Sequence, residues 1–330
     1  MRLVNDSVWK RANWRLKAIG HRAPLVIMAA ALLLAAGCGD LDVELPDEDK
    51  DNLAAFVDDP TPAEDVVQPP SGELPEVDVT GIDRLDHLAW DAILATHVEN
   101  GLVDYQAIAD SIEATELLER YVGLLAVMPP EQLNSPDERL AFWLNAYNAL
   151  VVRQAIAELA ANPSFSPQDN NFAFFKAQVH TVGGELYSLD QIEHGVIRGD
   201  RTHDSVSQVD DAAWAVYLER HAGISGTNGV DPRIHVGLNC GAVSCPLLPD
   251  FAFTGPQVDA QLTQRAELFV QDTARGAGPA GISSLFNWFA VDFNQPPYNS
   301  AQGFIQAFRP EADDVNFGTF LNYDWTLNSL

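Results

Sequence analysis

The stretch NSPDERLAFWLNAYNALVVRQAIAEL, residues 134–159, decides how the rest of this chain is read. Ser135 suits an N-cap, Pro136 the first helical position, and Glu138 completes a capping box. The spacing predicts a helix to about Leu159 that stops before ANPSFSPQDNN, a run of turn formers. Its middle is apolar on nearly every side, so it belongs inside a core. Asn145 and Asn148 stand three apart and share a face. Two readings fit buried amides there. They brace a loop by bonding backbone groups, or one orients a catalytic imidazole, as in thiol proteases.

Working outward, residues 83–98 and 105–128 carry helical spacing. Residues 177–189 alternate around Gly183-Gly184 and read as a hairpin. Ser188 then caps a helix through SLDQIEHGVIR, with Gln191 three residues on. RIHVGLN (233–239) reads as a short strand, 256–275 and 300–308 as helices, and 282–293 as an aromatic-rich segment. The fold class is therefore α+β: a mainly helical single domain over 81–330 with a small antiparallel sheet.

Upstream, residues 1–37 hold six basic residues, one acid and the apolar run PLVIMAAALLLAAGC. That is the pattern of a secretory leader, too short to span a bilayer. LLAAGC resembles a bacterial lipoprotein box, which implies cleavage before Cys38 and lipid attachment to it. Gly39 after that cysteine fits the outer membrane. Residues 38–80 are acidic and proline-rich; from 40 to 80 there are 14 acids against Lys50 alone. Such a segment reads as a disordered tether. The whole chain carries −28, and −33 without residues 1–37. A charge of that sign repels phosphate backbones, so nucleic acid is excluded as a partner. Membrane contact is expected through the Cys38 anchor alone, in the cell envelope facing the periplasm.

The chemistry gathers in DPRIHVGLNCGAVSCPLL (231–248). Read as a strand, it puts Arg233, His235 and Asn239 on one face, with Cys240 at the strand end. Three readings stay open. Cys240 and Cys245 form a disulfide, as an oxidising envelope favours. Alternatively Cys240 is a thiolate nucleophile, with His235 or His194 as base and Asn145 or Asn148 as orienter. It would then transfer acyl groups on a peptide-like or amide substrate. The third is a metal site, but His-x4-Cys-x4-Cys is not a standard zinc spacing, and no metal or cofactor is expected. The aromatics Phe286, Trp288, Phe289, Phe320 and Trp325 read as core rather than as a sugar platform.

Taken in order, AFWLNAYNALVV, YSLDQIEHGVIR, DPRIHVGLNCGAVSCPLL, SSLFNWFAVDF and YDWTLN resemble the family known as domain of unknown function 547, over residues 85–330. The resemblance implies a domain and a motif set rather than a reaction. Its positions here are Asn145, Asn148, Glu193, His194, Arg233, His235, Asn239, Cys240 and Cys245. Asn, His and Cys in that order would be a permuted form of the papain-like or transglutaminase-like arrangement, an analogy only.

Overall fold

A computed structural model describes residues 84–221 and 230–330. Its helices follow in the order α1 (Leu88–His97), α2 (Tyr105–Asp110), α3 (Ile112–Val127), α4 (Pro136–Ala161), α5 (Asp169–Lys176), α6 (Asp204–Ser207), α7 (Asp211–His221), α8 (Ile234–Gly237), α9 (Val258–Gln271), α10 (Leu285–Trp288), α11 (Ala290–Phe293) and α12 (Ala301–Phe308). A π-helical stretch, Gln191–Ile197, precedes α6. Three antiparallel hairpins punctuate them: β1 (Val98–Glu99) with β2 (Leu102–Val103), β3 (His180–Val182) with β4 (Glu185–Tyr187), and β5 (Ala277–Gly278) with β6 (Gly281–Ile282). The class is α+β and mainly helical.

α4 begins as its signals require: Ser135 Oγ accepts from the Glu138 amide at 3.1 Å, and Pro136 sits in the first turn. Every residue from 140 to 155 is buried. Large side chains such as Phe142, Trp143 and Leu150 gain about 1.5–3 kcal/mol each by leaving water, so the helix is stable only when surrounded. α2, α3, the π-helical stretch and α9 pack around it.

The two amides inside this helix act as clamps. Asn145 Nδ2 donates to the Phe253 carbonyl at 2.7 Å, and its Oδ1 accepts from the Phe253 amide at 2.9 Å. Asn148 does the same to the next layer: Nδ2 donates to Gly237 O, and Oδ1 accepts from Asn239 N, both at 2.9 Å. Both carboxamides are thus taken by backbone, the bracing role, and neither orients an imidazole through these bonds.

Two expectations need correction. Residues 233–239 do not form a strand; Ile234–Gly237 is a helical turn. Asp231 Oδ1 accepts from the Arg233 amide, and the Asp231 and Pro232 carbonyls accept from Ile234 and His235. This local capping overrides the alternation of a short apolar run. The Arg233 guanidinium is held by Asp231 and Asp259, not on a shared face with His235. The sheet is also three separate hairpins rather than one. Elsewhere the helix expected over 105–128 breaks at Ser111, whose hydroxyl caps α3 through Ala114 N at 3.1 Å. The β3–β4 hairpin turns at Gly183-Gly184 as expected, with φ of 57° and 81°. The expected leader, the tether and Cys38 lie outside the described residues. Among the described residues no helix is long and apolar enough to cross a membrane.

Asn148→Leu leaves the Gly237 carbonyl and the Asn239 amide unpaired in the core, each costing about 1–3 kcal/mol. We expect urea unfolding to show a loss on the order of 3 kcal/mol; a loss below about 1 kcal/mol would contradict the clamp.

Candidate functional site

α8 ends at Gly237, and after Leu238 the chain enters a tight loop closed by Asn239. Its Nδ2 donates to Pro246 O at 2.8 Å, while its Oδ1 accepts from Gly241 N at 3.0 Å and from Asn328 Nδ2 at 3.2 Å. Gly241 adopts φ 81°, which a side chain would strain. The loop is closed a second time by a Cys240–Cys245 disulfide. A sulfur in a disulfide has no thiolate to offer, so Cys240 is not a nucleophile in this state. The residues after it are edged by a downstream segment: Val243 N donates to Thr326 O and Ser244 N to Asp324 O. That pairing places the Tyr323 hydroxyl 3.1 Å from Cys245 Sγ and 3.3 Å from Cys240 Sγ.

Beside the disulfide lies a small, partly open pocket with a cavity volume of about 40 Å3. Its apolar wall comes from Phe175, Leu238, Leu285, Trp288, Phe289 and Trp325. Its polar lining is Tyr147 from α4, Asp190 just before the π-helical stretch and Glu193 within it, His235 from α8, and Tyr323. Trp288, Phe289 and Trp325 are therefore pocket wall as well as core, while Phe286 is core alone.

Behind the pocket runs a buried ionic chain. His235 Nε2 lies 2.8 Å from Asp292 Oδ2, and Arg198 Nε donates to the same oxygen at 2.7 Å. Arg198 Nη1 also reaches His194 Nδ1 at 2.7 Å and Asp200 at 3.2 Å. His235 stacks on Phe289 at 3.9 Å, and Arg198 lies over the same ring at 5.1 Å. Burial pushes Asp292 up, but hydrogen bonds from His235 and Arg198 outweigh it and hold the carboxyl at about 2. Burial likewise lowers His235, against the opposing pull of Asp292, so its ring is neutral. With Nε2–H given to Asp292, Nδ1 is an acceptor, and it is buried without a hydrogen-bond partner. His194 is pushed well below its usual range by burial, then by His203, Arg198 and His235.

The two pocket acids behave oppositely to Asp292. Burial, and then Glu193, push Asp190 up to about 7, with Lys176 opposing. Burial raises Glu193 too, against a hydrogen bond from the Tyr147 hydroxyl and the charge of Arg198. Among the described residues no group of three His, Cys, Asp or Glu is arranged to hold a metal ion.

Of the predicted residues, the structure brings His235 and Cys240 to one pocket and His194 into the chain behind it. Asn145 and Asn148 stand away from it as clamps. Asp190, Arg198, Tyr147 and Tyr323 escaped the sequence reading. Asp190 and Arg198 sit in the same quoted motif as Glu193 and His194, which was the available signal. Asp292 lies in the aromatic-rich segment 282–293 of a chain rich in acids, and no local signal singles it out.

The fold and site define a mainly helical α+β domain built around an aromatic, acid-lined pocket with a disulfide in its wall. Residues 130–270 match the family model described as Protein of unknown function, DUF547, which supports the resemblance carried by the motifs in that span. No curated protein and no solved structure matches the chain.

Five buried or largely buried histidines have lowered pKa values: His87 and His203 to about 4, His180 to about 3, and His194 and His235 by direction. Burial is the main cause in each. The unfolded chain binds these protons near 6.5 and the folded one does not. Their stabilising contribution is full above 6.5 and is lost as pH falls toward 4. Asp190 and Glu193 act in reverse, favouring the fold at low pH and losing that contribution as pH rises, for Asp190 toward about 7. The histidines outnumber them. We expect the urea midpoint to drop on acidification from pH 6.5 to 4.5. Both His180 ring nitrogens are buried without partners. His180→Phe should therefore flatten the slope by up to about 1.4 kcal/mol per pH unit.

Proposed function

We propose that this chain is a lipid-anchored envelope protein that binds a small ligand, with Cys240–Cys245 as a structural clasp of the binding pocket. The observation that carries this reading is the joining of both sulfurs at the wall of an aromatic-lined hollow. Ligand sites are concave and mostly apolar, with a few convergent polar groups, and this hollow has that composition. The anchor rests on LLAAGC and the basic leader before it. The acidic, proline-rich 38–80 then serves as a spacer between membrane and domain. Acyl transfer on a peptide-like or amide substrate needs a free Cys240 thiolate, and reduction of the disulfide is the condition for it.

Mass spectrometry after alkylation tests the clasp. In the full chain carrying Cys38→Ala, only Cys240 and Cys245 remain. We expect no label on the folded or denatured protein without reductant, and two labels after reduction. One fast-reacting thiol at neutral pH in unreduced protein, abolished by Cys240→Ser and kept in Cys245→Ser, would replace the clasp with the nucleophile. For the anchor, the wild-type chain should fractionate with membranes and carry acyl mass on Cys38, and Cys38→Ala should release it to the soluble fraction. Release of the wild-type chain without acyl mass would remove the anchor.

A further inference from the structure

The polar groups facing the pocket are unbalanced. The Tyr147 hydroxyl donates to Glu193, and the Tyr323 hydroxyl donates to Cys245 Sγ. These two hydroxyls are thereby taken within the protein. What remains are the Asp190 carboxyl and the rest of the Glu193 carboxyl, which accept once ionised. Glu193 keeps part of its surface open. His235 is 3 % exposed, and its Nδ1 has no hydrogen-bond partner. Its ring lines the pocket, whereas Asp292, bonded at Nε2, lies outside the lining. The wall beside Asp190 and Glu193 includes Trp288 and Trp325, and aromatic rings favour a cation over a neutral group.

We infer that the pocket binds a primary alkylamine in its ammonium form, its N–H groups donating to Asp190 and Glu193 while its alkyl stem lies along the aromatic wall. This rests on the binding reading above and gives it a ligand class. An ammonium brings several N–H donors and one positive charge to two neighbouring acids. A quaternary ammonium supplies the charge without the donors, and an alcohol supplies a donor without the charge.

The groups that set the pH dependence are few. Asp190 is faced by Glu193 and Lys176; Glu193 by Tyr147, Arg198 and Asp292; and His235 by Asp292, Arg198 and Asp231. Asp190 must lose its proton to pair with the cation, so affinity rises with pH across the region around 7.

Tryptophan fluorescence tests the inference on the purified full chain, because Trp288 and Trp325 line the pocket. The probes are n-butylammonium chloride, tetramethylammonium chloride, 1-pentanol and, as an ionic control, potassium chloride. We expect saturable quenching by n-butylammonium alone, stronger at pH 8 than at pH 6. Asp190→Asn should weaken it at least about tenfold, and Glu193→Gln should do so independently. Both variants keep the side-chain shape and remove a buried acid, so urea midpoints at or above wild type show that they are folded. Equal quenching by 1-pentanol, or unchanged n-butylammonium binding in both variants, would overturn the ammonium assignment and leave the binding reading standing. If no probe, charged or neutral, perturbs the tryptophans, both fall.

Discussion

The domain depends on one helix being surrounded. Sixteen consecutive residues of α4, 140 to 155, are buried, so every other element is placed by how it covers that cylinder. A purely apolar cylinder would leave the covering layers free to slide, because dispersion and burial are not directional. Asn145 and Asn148 remove that freedom. Each grips both a carbonyl and an amide of a single crossing segment, which fixes 253 and 237–239 against the helix within hydrogen-bonding tolerance. The second clamp is where the scaffold becomes the site. The carbonyl it holds belongs to Gly237, at the end of α8. The amide belongs to Asn239, which opens the disulfide loop.

What could be read from the residues follows from how local the deciding forces are. α4 announced itself through a cap, a proline and a long apolar run, and the β3–β4 turn through two glycines. Ser188 and Gln191 exchange the expected bonds, with Gln191 N donating to Ser188 Oγ at 3.1 Å and Ser188 N to Gln191 Oε1 at 3.0 Å. The stretch they cap is π-helical instead of α-helical, a difference that a capping signal does not encode. The β1–β2 hairpin was overlooked although Asn100-Gly101, with φ of 52° and 79°, is a turn signal in its own right. Residues 233–239 were misread because seven residues of alternating polarity fit a strand and a capped turn equally well. Only the side chain of Asp231 decides between them. Asp292 joined His235 across 57 positions, and Tyr323 joined Cys245 across 78; no local pattern states such pairings.

The site itself combines two opposite solutions to buried charge. Asp292 is kept ionised by two charge-assisted neighbours, and through them it fixes the tautomer of His235 and the position of Arg198. Asp190 has only the charge of Lys176 to oppose burial and Glu193, which hold its proton into the neutral range. One carboxyl is structural and committed; the other is available. Their separation into these roles is what leaves the pocket with capacity to spare while the wall behind it stays rigid.

The wall carrying Tyr323 and Trp325 has a bearing on how the protein is assembled. Tyr105 donates to Asn328 across 223 positions, Asn328 reaches Gly101 across 227, and Ser166 donates to Trp325 O across 159. Contacts of such range form late, because the entropy of closing the loop precedes their reward. No amino-terminal fragment emerging during synthesis holds a finished cavity. Until residues 323–328 arrive, the aromatic and acidic surfaces stay open and the two cysteines lack the strip that edges their loop. Completion of the pocket is thus an event of the whole chain, and a molecule that has it has finished folding.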